Sequence, residues 1–544
     1  MLYKKCSLCF ATLMKVKSIF GEFRWSFLPP LMVYLAAGVA ALTGIVGTFF
    51  VKEYLGLSAI FLAGLGFWAG LPWALKLPLG HLVDLIWRYK AWMIIAGAVV
   101  LAASSLIMLM LVLDRNFMES IFPIPVWFII ATISAPVGYV LQDVVADAMT
   151  VEAVPTKDDM GQPLEPERVK SMHITMQTLG RIAIIGGTLL VAIVNMAVFA
   201  GVDQLAENEK LDAYARVYAY SLVIPIISVT GVLLAFIQQK IKLRTLTANG
   251  VPTEEAKLSI APKQDNISPN WTILLGSAVF VVFSVSVGVS GVPFSQEIVF
   301  FGSLAIILFL LYRLMQELDV KAQKILIGTA IMVFIFRAMP GPGAGASWFE
   351  IDKLGFDQQF FSLLSLIAAC LTIFGIIVLR PLMASSSMAR LIIILSIAGG
   401  ILYLPSIGLY YGVHNWTSSL TSGVVDARFI AIFNTALESP LGQVSMIPIL
   451  AWIARSAPSH LKATFFAVLA SFTNLALSAS NLGTKYLNQI FVISREVKTE
   501  TGMIKVAEDY SSLGLLLISV ALLVLIIPMI SVWLTQKSKF SSNI

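Results

Sequence analysis

The chain has 544 residues, 58% of them hydrophobic and 12% charged, with a formal net charge of +6 and a mean hydropathy of +0.87. This composition excludes a water-soluble globular domain and identifies an integral membrane protein of helices, because backbone polar groups in lipid must be satisfied within a helix or a closed barrel. The positive charge does not mark a nucleic-acid partner: most of the 37 Lys and Arg lie between apolar runs, in segments that fall on one side of the bilayer.

Residues 1–27 read as a cytoplasmic lead-in. Lys4 and Lys5 precede a short apolar stretch with no small-residue cleavage site, so no cleaved signal is expected. Cys6-x-x-Cys9 has no second ligand pair nearby, and Cys370 stands far away, so neither a disulfide framework nor a metal site follows. Apolar runs long enough to cross a bilayer follow at 28–51, 57–80, 91–113, 125–150, 172–199 and 215–238. A polar linker then leads to a pair of runs at 271–291 and 298–315. Six more follow at 325–345, 358–380, 390–411, 428–453, 463–490 and 512–535, about 14 in all.

With the N-terminus inside, Lys15, Lys17, Arg88, Lys90, Lys157, Arg168, Lys240, Arg244, Arg455, Lys462 and Lys537 all fall in cytoplasmic segments. That bias predicts two cytoplasmic termini. The short lead, with no transit-like region, predicts a bacterial inner membrane.

The chain repeats itself at a spacing of roughly 300 residues. Tyr54-Leu55-Gly56-Leu57-Ser58 follows the first run, and Lys353-Leu354-Gly355-Phe356-Asp357 follows the ninth. Ser134 to Gly138 in the fourth run matches Glu438 to Gly442 in the twelfth. Two six-helix units that both start inside are the plan of major-facilitator transporters, whose halves rock about a midplane site. The predicted fold is therefore all-α. A first bundle spans 28–238, a linker and inserted hairpin 239–323, a second bundle 324–535, and a cytoplasmic tail 536–544. The hairpin carries no evident transport chemistry, and its expected role is structural.

Gly80-x-x-x-Asp84-x-x-x-Arg88-x-Lys90 lies between the second and third runs. Gly80 lets two backbones approach, Asp84 can meet a neighbouring helix end, and Arg88 anchors the loop at the inner leaflet. It resembles the signature loop of the major facilitator superfamily, which implies a gating role for Gly80, Asp84 and Arg88. Other segments resemble the folate–biopterin transporter family, a branch of that superfamily. These are Leu71-Pro72-Trp73-Ala74-Leu75-Lys76-Leu77-Pro78-Leu79-Gly80, the acidic run from Asp143 through Asp147 to Glu152, Leu354-Gly355-Phe356, and Pro448 to Ala451 with Ala467 to Leu475. The likeness covers most of both halves but not the hairpin. It implies a carrier of folate-like or pterin-like solutes. Ala457 to Lys462 departs from the family, having no cysteine or glutamate there.

A charge at the centre of a span costs about 2.5–3.5 kcal/mol on insertion scales, so each needs a partner, a water-filled cavity or a function. At 1.5 Å rise per residue, Arg181, Arg337 and Glu438 lie about 14, 18 and 15 Å into their runs, near the midplane. Guanidinium forks match carboxylates. The arginines suit the carboxylates of a folate tail, while Glu438, Gln142 and Asn474 suit the donors and acceptors of a pterin ring. Internal pairing of the arginines with Glu438 or Asp143 is the competing explanation.

Asp143 and Asp147, four apart, share one helix face. Two carboxylates so close in a poorly solvated site repel, which points to proton coupling with Lys76 as counter-ion. A static lock between the second and fourth helices fits the same residues. Glu152, nearer the cytoplasmic surface, reads as a gate. The break at Met339-Pro340-Gly341-Pro342-Gly343 is expected to free backbone groups to line a cavity beside Arg337. Lys485 is expected to snorkel to the interface.

No nucleophile–base pair, phosphate loop or metal-ligand spacing occurs. His81, His173, His414 and His460 are scattered, so no enzyme, cofactor or metal is expected. The expected partners are a carboxylate-bearing folate/pterin-like solute, protons and the lipid bilayer. Two alternatives stay open. One is a permease for a nucleoside-like or amino-acid-like solute. The other is a non-transporting assembly or delivery protein on the same fold.

Overall fold

The computed structural model describes residues 23–541, apart from 75, 77–78, 80–81, 84–85, 87–88, 156–163, 261–270, 317, 380–381, 383–385, 443, 445–461 and 499–503. The first half contains α1 (Leu28–Val39) and α2 (Leu42–Phe50), which together make one bent span. It continues with α3 (Ala59–Ala74), α4 (Lys90–Leu113), the short α5 (Arg115–Ile121), α6 (Ile124–Ala153), α7 (Pro166–Val198), α8 (Glu207–Ser221) and α9 (Val223–Ala248). After α10 (Thr253–Ile260) comes the hairpin of α11 (Trp271–Val289) and α12 (Ser295–Met315). The second half runs through α13 (Val320–Arg337), α14 (Ala344–Asp352), α15 (Gln358–Val378), α16 (Met388–Tyr410), α17 (Val413–Leu420), α18 (Ala427–Glu438), α19 (Lys462–Ile490) and α20 (Leu513–Lys537). A small antiparallel pair, β1 (Val497–Lys498) and β2 (Ile504–Val506), links the last two helices.

Among the described residues, nine helices are long and apolar enough to cross a membrane. The remaining predicted runs carry helix too. Among the described residues the second and seventh runs contain the apolar helical stretches Ala59–Trp73 and Ala278–Gly288. The ninth run, 325–345, is split into α13 and α14 by a non-helical stretch over 338–343, where the sequence places the break. The twelfth leaves α-helix at Glu438 for a turn of 3-10 helix at Ser439–Leu441, where Pro440 cannot continue the ladder. The thirteenth, α19, carries Asn, Ser and Thr along its length.

The internal repeat is visible in the backbone. Gly56 and Gly355 both take a left-handed conformation, with φ of 65° and 64°. Glycine adopts it without steric cost. Two residues later, Ser58 Oγ accepts the amide of Phe61 and Asp357 Oδ1 accepts that of Phe360, so each half caps its next helix in the same way. Within the first half, α1 and α7 meet where Gly38 and Gly187 touch, and a side chain on either would strike the opposite backbone.

The halves join along two seams, α3 against α19 and α7 against α15. The hairpin packs over the first of these, with Phe280, Val299, Phe300 and Ile307 sharing a buried cluster with Phe67 and Leu71 of α3 and Leu469, Phe472 and Leu475 of α19. Neighbouring residues of α12 grip opposite sides. Gln296 Nε2 donates to the Gly64 carbonyl on α3 at 3.1 Å, while Glu297 pairs with Lys485 on α19 at 3.1 Å. Lys485, expected to snorkel, is thus held in an ion pair that joins the insertion to the second half.

Candidate functional site

Lys76, in helical conformation two residues past Ala74, reaches both acidic side chains of α6. Its Nζ lies 2.6 Å from Asp143 Oδ2 and 2.6 Å from Asp147 Oδ2. The four-residue spacing turns the two carboxylates to one side of α6, where one ammonium with three N–H donors can serve both. Tyr34 of α1, only 6% exposed, donates its hydroxyl to Asp147 Oδ1 at 2.7 Å. Its ring lies against the bare backbone of Gly180, where a Cβ would meet it at 2.9 Å. Next along α7, Arg181 lies within electrostatic reach of Asp143 and of Tyr34. Two carboxylates thus face two cations. Such a cluster is neutral when every member is ionised, and loss of any one leaves a poorly solvated charge uncompensated.

The helix α19 organises the contact between the halves. Asn474 Nδ2 donates to the Trp73 carbonyl at 3.2 Å and Asn481 Nδ2 to the Gly66 carbonyl at 3.0 Å, both across the seam to α3. A second polar face, Ser480, Thr484 and Asn488 at four-residue intervals, stitches down the break after α13. Ser480 donates to the Met339 carbonyl at 2.7 Å, the Gly341 amide donates to Thr484 at 3.0 Å, and Asn488 donates to the Pro342 carbonyl at 3.2 Å. The break was expected to open its backbone groups to a cavity. Instead these groups are satisfied by α19, because a low-dielectric interior leaves no water to serve them. Arg337, at the last turn before the break, donates Nε to the Thr473 carbonyl at 3.1 Å.

One end of the bundle is closed by polar contacts that the sequence reading missed. Lys52, from the first half, forms an ion pair with Asp352 of the second. Asp352 also accepts the Tyr510 hydroxyl at 2.5 Å. Beside it, Gln358 donates to Tyr214 at 2.7 Å, and Tyr214 donates to Glu53 at 3.0 Å. Arg495, 4% exposed, lies over the Trp348 ring at 5.1 Å. Burial pulls its guanidinium down to about 10, far enough above neutrality to stay charged. Lys52, Glu53 and Asp352 flank the repeated Gly56 and Gly355 turns, and that symmetry was the signal available in the sequence.

Below this closure, between the halves, lies a cavity of about 340 Å³. Thr48 and Phe49 of α2, Thr188 and Asn195 of α7, Ser347 of α14, and Phe361 and Ser365 of α15 line it. Its volume is at the lower end for small-molecule sites.

The residues singled out by sequence therefore separate. Lys76, Asp143, Asp147 and Arg181 come together. Arg337 and Glu438 stand in the other half, with Glu438 exposed and within electrostatic reach of Tyr403. Gln142, assigned to a pterin ring, is 2% exposed and donates to the Ile94 carbonyl at 3.2 Å, so it fastens α6 to α4 instead of facing the space between the halves. Gly80, Asp84 and Arg88 lie outside the described residues, as does the side chain of Glu152 at the end of α6. Among the described residues no group of three or more His, Cys, Asp or Glu could hold a metal ion.

Solved transporters share this architecture. The nucleoside transporter NupG is 11% identical with a TM-score of 0.53, covering 93% of this chain and 100% of that one. A POT family transporter crystallised with 5-aminolevulinic acid is 13% identical with a TM-score of 0.57, covering 95% and 96%. At such identities the likeness establishes the fold alone, the major-facilitator one. A curated relative, the folate-biopterin transporter of Synechocystis sp., is 21% identical over 154 residues, 28% of this chain and 30% of that protein. The match thus spans about a third of the relative's length. The BT1 family model matches residues 37–543, nearly the whole chain and including the hairpin that the sequence resemblance left aside. With its fold and this end-to-end match, the chain belongs to the BT1 family of folate–biopterin transporters, and is a multi-pass membrane protein of a transporter family, not of an enzyme family.

Proposed function

We propose that this protein carries a folate-like or pterin-like solute across the membrane by alternating access, coupled to protons through Lys76, Asp143 and Asp147. The observation that carries the coupling is the pair of carboxylates sharing one ammonium at 2.6 Å, with the Tyr34 hydroxyl on Asp147 at 2.7 Å. A proton taken up by one carboxylate loosens its hold on Lys76, and its release restores the pair. Because the cluster joins α1, α3 and α6, with α7 beside it, such a change alters how the first half packs.

Arg181, beside this cluster, and Arg337, at the α13 break, are the groups suited to a substrate carboxylate. A neighbouring negative group would share Arg181 with Asp143 and so link substrate to proton. The Lys and Arg distribution puts both termini in the cytoplasm, so the Lys52–Asp352 end faces outside and the described conformation is closed there. On this orientation Gly80, Asp84, Arg88 and Glu152 belong to the cytoplasmic gate.

Purified protein in liposomes decides the matter. Biopterin, folate, a nucleoside and an amino acid are offered with and without an imposed pH gradient. Uptake of a pterin or folate, stimulated severalfold by an inward proton gradient and losing that stimulation in Asp143→Asn or Asp147→Asn, is expected. Gradient-driven uptake that persists in both variants overturns the coupling, and uptake of the nucleoside or amino acid alone overturns the substrate class.

A further inference from the structure

We infer that the cavity between the halves is a recognition site for an uncharged, flat, N–H-donating ring, built from side chains that present hydrogen-bond acceptors. This rests on the transport reading and assigns the ring its place.

The hydroxyls lining the cavity have already used their protons. Thr48 Oγ1 donates to the Gly44 carbonyl at 3.0 Å, Thr188 Oγ1 to the Ile184 carbonyl at 3.2 Å, and Ser365 Oγ to the Phe361 carbonyl at 2.9 Å. Each bonds four residues back on its own helix. A hydroxyl has one proton and two lone pairs, so each offers the cavity only an acceptor. Asn195 borders the cavity but is 0% exposed, and its Nδ2 donates to the Leu42 carbonyl at 3.4 Å, so it ties α7 to α2 behind the wall.

Three of the five polar side chains around the cavity thus present acceptors, from α2 and α7 of one half and α15 of the other. Phe49 and Phe361 add an aromatic wall, edge to face at 5.8 Å and 79°. Among the described residues no Lys or Arg lines the cavity, so a carboxylate placed there would meet lone pairs and lose its hydration. An aminopyrimidine edge, with amino and ring N–H groups on a flat apolar face, meets the opposite conditions. The cavity accordingly takes the ring and turns away an acidic tail. Because the acceptors come from both halves, ring binding also draws the halves together.

The test measures binding to the full-length protein in detergent by calorimetry. The probes are biopterin, its 2-oxo analogue (an acceptor in place of the amino donor), 2-amino-4-hydroxypyrimidine and p-aminobenzoylglutamate. The expected result is that biopterin outbinds the 2-oxo analogue by about tenfold. Thr48→Val and Ser365→Ala, both near-isosteric, are each expected to reduce that ratio severalfold, with thermal midpoints confirming folded protein.

Wild-type binding of pterins with the ratio unchanged in Thr48→Val and Ser365→Ala overturns the site while leaving the substrate reading intact. Binding of the pyrimidine alone, sensitive to the same variants, upholds the site and counts against a pterin substrate. Binding of p-aminobenzoylglutamate that is lost in these variants, or no binding by any probe, overturns the inference. The uptake panel judges transport separately.

Discussion

Lys76 serves two carboxylates and so cannot be removed quietly. Lys76→Met leaves Asp143 and Asp147 facing each other without their ammonium. Breaking a buried pair by deleting one partner costs about 3–5 kcal/mol, discounted here towards the lower figure because Asp147 is 40% exposed. A clear fall in thermal midpoint in detergent is expected, with partial recovery in Lys76→Met/Asp143→Asn. An unchanged midpoint in the single variant contradicts the geometry. Tyr34→Phe removes one hydrogen bond to a charged acceptor, worth about 1.5–3 kcal/mol. It should lower the midpoint less than Lys76→Met does, because the ring's seat on Gly180 is kept, and a larger drop would show that the hydroxyl holds the cluster more firmly than the ammonium. The acidic pair and its counter-ion were legible because charges are rare in apolar runs and the Asp spacing matches a helix turn. Tyr34 was not, since aromatic residues fill such helices without polar roles.

Among the helices, α19 carries the contrast between what a pattern displays and what it means. Its Asn, Ser and Thr residues were visible, but only Asn474 was assigned a role, as a ligand to a pterin ring. In the folded chain these residues divide into one face that bonds α3 and another that bonds the unwound stretch after α13. Thr484→Val leaves the Gly341 amide without its acceptor, and Asn488→Ala frees the Pro342 carbonyl. Each is expected to cost about 1–3 kcal/mol and to be additive with a change in the Lys76 cluster, which thermal unfolding of the single and double variants measures. The hairpin shows a similar shift of meaning. Composition marked it as an insertion, whereas Gln296 and Glu297 make it a strap over the α3–α19 seam. Lys485→Met leaves Glu297, 16% exposed, with the Tyr486 hydroxyl but without its ammonium, and should destabilise by about 1–3 kcal/mol. Glu297→Gln in the same chain should restore much of the loss.

For the whole molecule, the ion pair of Lys52 with Asp352 holds one end of the two halves together. Its loss should shift the population towards conformations open at that end. Partly exposed pairs are worth about 1 kcal/mol, which corresponds to about fivefold in the equilibrium. In a background lacking Cys6, Cys9 and Cys370, a Ser347→Cys reporter in the cavity should label a few times faster with an external, impermeant maleimide when Lys52→Met or Asp352→Asn is added. Equal rates would show that the Tyr214 contacts, not the ion pair, hold the closure.

By itself the sequence determined the class, the helices and their repeat, since apolar length and helix spacing are local properties that lipid enforces segment by segment. It also determined where charge is costly, and thereby named Lys76, Asp143 and Asp147. The tertiary structure alone decided which polar groups meet: the two faces of α19, the strap, the Lys52–Asp352 closure and the acceptor-lined cavity. Those contacts join residues more than a hundred positions apart, whose single-residue chemistry is ordinary. Their meaning arises when packing removes water and leaves each donor or acceptor with only the partner opposite it.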